Sequence, residues 1–286
     1  LSLIYIPQLA NRIVIEPGTR NKNYWKDLWN YRGLFYFLAW RDVLVRYKQA
    51  AIGIGWSILK PLLTICAMWA YGLIMKSQVP GNVPRALLIC TATLPWSFFS
   101  SAFSESSNSL INNTSLLSKV YFPRLIIPAS TIIVCLIDFF ISFLILVFFL
   151  VGYRYVPDWK ICLMPLFLLL TLVTSMGAGI FVAALNVKYR DFRYVVGFIV
   201  QFGLFVSPIA FSSSQVYNSH FPQAIKLLYS LNPMVGVIDG FSWSVLGNQV
   251  NIYLPGFLLS IAISFLFLVI GIWYFRKTEK SFADVI

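Results

Sequence analysis

Charge is scarce in this sequence: 11% of its 286 residues are charged, where a soluble domain carries roughly 25%. Acids are rarer still, 10 against 22 lysines and arginines. Only Glu105 and Asp138 fall within or at the edge of long apolar runs. Histidine is reduced to His220, and no H-E-x-x-H, G-x-S-x-G or paired-carboxylate pattern occurs, so no catalytic constellation is expected. The four cysteines, Cys66, Cys90, Cys135 and Cys162, form no C-x-x-C pair, which argues against a zinc site or a secreted disulfide framework and for free thiols within the membrane. No metal site is expected. A G-x-x-x-x-G-K-[ST] phosphate loop is missing, so the chain has no means of binding ATP in that way. No internal repeat is convincing, which weakens a carrier built from inverted halves.

Apolar residues are abundant, at 59%, with 17% aromatic. Crossing a bilayer takes about 20 apolar residues in a helix. Ala86 to Ser104, Leu125 to Val151, Ile161 to Val187, Tyr194 to Phe211 and Leu254 to Phe275 reach or approach that length, and Asp138 is their only charge. A sixth run, Gln49 to Met75, is interrupted by Lys60 and Pro61, with Pro61 placed to open the helix and Lys60 to snorkel. The expected fold is an all-α membrane protein with six transmembrane helices; a β-barrel would alternate in ten-residue segments, and none appear. Leu1 to Asp27 lacks an apolar run after a basic start and does not read as a signal peptide, and the Leu start suggests trimming. The organisation expected is a cytoplasmic segment over 1–27, an interfacial helix over 28–48 and a six-span domain over 49–286.

Six spans sort the basic residues into two sides. Lys76, Arg85, Arg154, Lys160 and Lys226 fall on one, and the remaining 17 of the 22 on the other. By the positive-inside rule both ends lie in the cytoplasm. The net charge of +12 is then membrane-surface charge, and nucleic acid is not an expected partner.

Between Leu28 and Lys48, Tyr36, Trp40, Val43, Leu44 and Tyr47 share a helical face, with Arg41, Asp42 and Lys48 largely opposite, the pattern of an in-plane helix whose plain role is anchorage. Ser106 to Arg124 starts polar, turns helical and ends at Pro123, longer than a connector requires. Asn186 to Arg193 reads as positive-inside charge. Ser212 to Asn251 holds the apolar stretch Pro233 to Leu246 and is expected to dip into the membrane as short helices beside a pathway. Asp138, near the middle of its run, is either functional or a carboxyl bonded to a neighbouring helix, and no basic partner lies at matching depth in the sequence. The glycine pairs Gly53/Gly55 and Gly177/Gly179 suit close helix packing. Trp56, Trp69, Tyr71, Trp96, Phe98, Phe99 and Phe103 read as interfacial or lipid-facing rings, or as rings lining a path along which sugars slide.

The segments FLAWRDVLVRYKQAAIGIGWSILKPL (37–62), SKVYFPRLIIP (118–128), NVKYRDFRYVV (186–196), LNPM (231–234) and FRKTEKSFADVI (275–286) together resemble the ABC type-2 permeases that export cell-surface polysaccharides such as O-antigen, capsule and teichoic acid. The likeness runs from about residue 28 onward. It implies a homodimer in the cytoplasmic (inner) membrane working with two copies of a separate ATP-binding subunit that holds ATP and magnesium; this chain would carry no cofactor. It also implies a coupling helix at Asn112, Asn113, Leu116, Leu117, Lys119, Tyr121, Phe122, Pro123 and Arg124. A lipid-linked (undecaprenyl-linked) glycan would be admitted beside Trp40, Arg41, Arg46, Tyr47 and Lys48. External re-entrant helices between spans five and six would place Tyr217, Phe221, Tyr229 and Trp243 at an outer gate. The aromatics Trp56 to Phe103 would line a channel between the two copies. Two rivals stay open: an ABC exporter of a small lipid or drug, and a stand-alone channel or ion-coupled carrier.

Overall fold

The computed structural model describes residues 24–48, 55–117, 119, 122–279 and 282, and the secondary structure of these is helical throughout, without a strand. In chain order the helices are α1 (Tyr24–Asn30), α2 (Arg32–Lys48), α3 (Gly55–Ile74), α4 (Arg85–Asn112), α5 (Thr114–Leu117), α6 (Ile126–Gly152), α7 (Met164–Lys188), α8 (Phe192–Val206), α9 (Ser214–Tyr217), α10 (Gln223–Ser230), α11 (Pro233–Leu246) and α12 (Leu254–Thr278). Five are long and apolar enough to cross a membrane: α3, α4, α6, α7 with the 3-10 turn Trp159–Leu163 before it, and α12.

The span expected over Tyr194 to Phe211 is shorter than the sequence suggests. α8 has 15 residues, about 22 Å of helix against a hydrocarbon core of about 30 Å. It stops because Pro208 disfavours helical backbone at Ser207, which turns extended. The irregular backbone that follows is satisfied by protein: Ser77 Oγ donates to the Ala210 carbonyl at 2.8 Å, and Asn232 Nδ2 to Ser207 Oγ at 3.1 Å.

Three other boundaries differ from expectation. Pro61 lies inside α3 and does not open it; residues 49–54 of that run lie outside the described residues. The interfacial helix expected from Leu28 is two helices, broken at Tyr31, and the chain is already helical at Tyr24, before the expected boundary. The polar stretch from Ser106 to Asn112 is the last two turns of α4. Some of its polar side chains bond within the bundle: Asn108 Nδ2 donates to the Ser104 carbonyl at 2.8 Å and Ser109 Oγ to the Ser106 carbonyl at 2.7 Å, while Asn186 Nδ2 of α7 donates to the Ser107 carbonyl at 2.8 Å.

Lipid is as apolar as leucine, so burial of apolar surface does not draw membrane helices together; close approach and interhelical hydrogen bonds do. α7 and α12 meet on glycine. A Cβ on Gly271 would stand 2.3 Å from the Gly177 carbonyl oxygen, and one on Gly177 2.4 Å from the Leu268 nitrogen. Nearby, Thr174 Oγ1 donates to Ser264 Oγ at 2.8 Å. Gly179 faces Ser106 of α4 in the same manner. The close-packing expectation for Gly177 and Gly179 agrees with these contacts.

α11 starts sharply: Asn232 caps it by accepting from the Met234 nitrogen at 3.1 Å, and Pro233 occupies the first turn. It ends at Gly247, whose φ of 64° suits glycine. Almost its entire surface is covered, by α4, α7, α12 and the 3-10 turn before α7. A second, smaller apolar cluster lies where α1, α2, the start of α6 and the end of α12 meet, with Tyr24, Leu38, Phe122, Leu125, Phe275 and Phe282 at its centre.

Candidate functional site

α2 lies against α6 and presents Leu38 and Ala39 inward, while Tyr36, Phe37, Trp40 and Leu44 face away from the chain. This orientation turns its polar side chains onto the bundle. Tyr47 donates its hydroxyl to Asp138 Oδ1 at 2.7 Å, Ser57 of α3 donates to the same oxygen at 2.6 Å, and Arg46 stands 3.3 Å from Asp138 Oδ2. Asp138 therefore has a basic partner after all, and it comes from α2, which is not one of the spanning runs. Arg46 also reaches Glu105 at 3.8 Å. Burial works to lower the Arg46 pKa, yet Asp138, with smaller help from Cys135 and Glu105, raises it, so the guanidinium stays charged. Burial and then the bond to Asp138 push the Tyr47 phenol up to about 12.

Beside this cluster, between α2, α3, α4 and α6, is a cavity of about 300 Å³. Its wall combines aromatic faces (Trp56, Phe98, Phe139), hydroxyls (Ser57, Ser97, Ser101, Ser142) and the ionic groups Arg46, Lys60 and Asp138. Rings that stack and hydroxyls that exchange hydrogen bonds suit a ligand with both apolar and hydroxylated faces.

The far flank of α2 holds the connection after α4. Arg41 donates to Asn113 Oδ1 at 2.8 Å while paired with Asp42 at 2.7 Å, and Asn113 in turn donates to the Ser109 carbonyl at 2.9 Å. Asn112 closes α4, and Leu116 and Leu117 lie in the one-turn helix α5. Lys119 is exposed, and Tyr121 lies outside the described residues. Phe122 and Pro123 are buried, and Arg124 is clasped by the chain's end: its backbone nitrogen donates to Glu279 Oε1 at 2.9 Å and its guanidinium to the Glu279 carbonyl. Tyr24 donates its hydroxyl to the same carboxylate at 3.4 Å. Arg276 lies over the Tyr24 ring and Arg124 over Phe282. Burial raises the Glu279 pKa, and Arg124, Tyr24 and Arg276 only partly reverse that.

The seven aromatics divide. Trp96, Phe98, Phe99 and Phe103 are buried within the chain's own core, with Phe99 stacked on Phe103, whereas Trp56 and Trp69 are exposed and Tyr71 half-buried against Phe205. Lys48 is exposed. At the opposite end of the bundle Tyr217 bonds to Ser230, stacks on Tyr253 with centroids 4.3 Å apart and approaches Tyr229 at 6.0 Å; Phe221 is exposed, and Trp243 sits apart under the Lys160 ammonium. The Tyr229 hydroxyl is buried with no hydrogen-bond partner among the described residues. Sequence reasoning passed over Asp239, a buried acid on α11, because only acids in spanning runs were weighed. It also passed over Ser57, Tyr24 and Glu279, whose roles arise from contacts across 81, 255 and 155 residues that no local pattern announces.

The chain is 27% identical over 217 residues to the O-antigen export system permease protein RfbA of Myxococcus xanthus, covering 76% of this chain and 81% of that protein. It is 26% identical over 257 residues to the protein of the same name from Klebsiella pneumoniae, covering 86% and 92%. Residues 33–246, from the start of α2 to the end of α11, match the profile of ABC-2 type transporters. By that match over most of its length, the chain is a membrane transport component that belongs to the ABC-2 type transporter family.

Proposed function

We propose that this chain is the permease subunit of an exporter that moves a lipid-linked cell-surface polysaccharide, of the O-antigen class, across the cytoplasmic membrane. Two copies form the path and two copies of a separate ATP-binding subunit, holding ATP and magnesium, drive it. α8 and the turn after it complete a six-span arrangement with both ends in the cytoplasm. Nucleotide binding draws the ATP-binding subunits together, the segment from Asn112 to Arg124 transmits the movement, and the carrier lipid's phosphates approach beside Arg41 and Arg46, whose guanidinium forks suit phosphate oxygens, and beside the Lys48 ammonium. Tyr217, Phe221, Tyr229 and Trp243 border the outer mouth.

The observation that carries the reading is the cavity under α2, whose rings, hydroxyls and cations suit a phosphorylated, sugar-bearing lipid, in a chain related to two O-antigen export permeases. A stand-alone ion-coupled carrier loses its main support, because Asp138 is occupied by Arg46, Tyr47 and Ser57.

The test is reconstitution in liposomes with and without the neighbouring ATP-binding subunit, supplied with undecaprenyl-linked glycan from the host. Glycan-stimulated hydrolysis and export in the pair alone is expected; transport by this chain without the ATP-binding subunit refutes the proposal.

A further inference from the structure

α2 is held on two flanks by different partners. Arg41 and Arg46 are five residues apart, which on a helix is a rise of about 7.5 Å and a rotation of about 140°. Arg41 is bonded to Asn113, between α4 and α5, and Arg46 and Tyr47 to Asp138 in the middle of α6. A helix tethered along one line can roll about its axis at little cost. Tethered on two flanks, it cannot roll without breaking one tether, so a displacement of Asn113 moves the whole helix and loads the bond at Asp138.

The two tethers differ in strength. Arg41 reaches Asn113 at 2.8 Å with Asp42 fixing its guanidinium. Arg46 meets its carboxylates at 3.3 and 3.8 Å, longer than the roughly 2.7–2.9 Å of a tight charge-assisted bond. At Asp138 the long Arg46 contact is the part that yields first, and Tyr47, 2.7 Å from the carboxylate, is the bond that has to follow. The groups facing it are Arg46 and Tyr47 from α2 and Ser57 from α3, with Glu105 of α4 competing for Arg46. Arg46, Ser57 and Asp138 all line the cavity, so release of the Asp138 tether opens its wall.

We infer that Asp138 is a positioning residue of the transport cycle, a releasable latch that holds α2 across the cavity and lets movement of the Asn112–Arg124 segment open it. The inference rests on the proposed function for its driving force. It assigns Asp138 no contact with the transported molecule and no proton transfer.

The experiment uses the permease with its ATP-binding subunit in proteoliposomes. Asp138→Asn keeps an oxygen for Tyr47 and Ser57 and removes the charge that holds Arg46. Hydrolysis is expected to continue while export per ATP falls by at least about fivefold, the lower range of coupling between linked sites. The exchanged pair Arg46→Asp with Asp138→Arg is expected to recover part of the loss, which a cavity-filling role would not allow. A second readout is independent of cargo: spin labels at Tyr36→Cys and Phe140→Cys, both exposed, with Cys66 and Cys162 removed, report the α2–α6 distance. A non-hydrolysable nucleotide is expected to lengthen that distance in the unaltered complex, with Asp138→Asn already long without nucleotide. Where Asp138→Asn fails to insert, Arg46→Gln, on α2 outside the spans, is read by the spin-label distance alone, because Arg46 also borders the proposed lipid path, and an unchanged distance there overturns the latch. Unchanged export per ATP together with an unchanged distance in the variant overturns the latch, whereas a nucleotide-dependent distance without glycan export overturns the cargo assignment and leaves the latch standing.

Discussion

Gly271→Ala sets two effects of known sign against each other. Alanine favours helix over glycine by about 0.8–1 kcal/mol, so on propensity alone the substitution strengthens α12. The added methyl, however, would stand 2.3 Å from the Gly177 carbonyl oxygen, short of van der Waals separation by more than about 1 Å. Its obstacle is backbone on a neighbouring helix rather than the end of a flexible side chain, so α7 and α12 must part. Overpacking of this kind costs about 1–3 kcal/mol, and separation also stretches the 2.8 Å Thr174–Ser264 bond, worth about 0.5–1.5 kcal/mol. The net expectation is a loss of about 1–3 kcal/mol. Gly197, inside α8 with nothing within 4 Å of its would-be Cβ, supplies the matched control, and Gly197→Ala is expected to gain up to about 1 kcal/mol. Thermal unfolding of the purified subunit in detergent, followed by tryptophan fluorescence, reads both. At about 2–4 °C per kcal/mol the two midpoints move in opposite directions by several degrees. A Gly271→Ala midpoint equal to or above that of the unaltered chain refutes the close crossing.

Three further outcomes are expected. Burial raises the Glu279 pKa above its ordinary value, so the folded chain holds that proton more tightly than the unfolded one; its contribution is intact below the ordinary carboxylate range and is lost as pH rises through the raised value. Glu279→Gln, which keeps an acceptor for Arg124 and Tyr24, is expected to flatten that part of the stability profile, and an unchanged slope would assign it to another group. Tyr155→Phe removes the 2.8 Å bond to the Leu246 carbonyl at the end of α11 and is expected to cost about 1–3 kcal/mol, read as a lowered unfolding midpoint. Trp56→Ala, at an exposed ring on the cavity wall, is expected to lower glycan-stimulated export with a stability change within about 0.5 kcal/mol, whereas Phe98→Ala, buried, costs about 3–5 kcal/mol and loses export through unfolding. Equal stability losses in the two variants would contradict the division between them.

The long apolar runs were legible because a bilayer imposes a length that composition alone reveals; α6, α7 and α12 fall within two or three residues of their expected limits. The close of α4 was not, since serine and asparagine usually mark loops, and the bonds that some residues from Ser106 to Asn112 make, with carbonyls of their own helix and with Asn186 of α7, show only in the structure. α8 reads as a span on hydrophobicity up to Phe211, but Pro208 acts through sterics on the residue before it and ends the helix early. At the site, α2 was visible as an amphipathic helix from its periodicity. Periodicity reports which residues share a face and not what the face meets, so the pairing of Arg46 with Asp138 required the tertiary structure.

α11 has consequences for how the chain comes to be built. Its covering helices are α4 and α7, made before it, and α12, made after it. During synthesis α11 therefore emerges without one wall of its final environment, and Ser260 of α12, against which Gly236 rests, is still to come. An apolar 14-residue helix too short to span has no stable place of its own in lipid or water. It settles only when α12 inserts, so α12 completes the environment of α11, and ribosomes that stop before residue 254 are expected to leave behind a chain whose α11 is open to proteolysis.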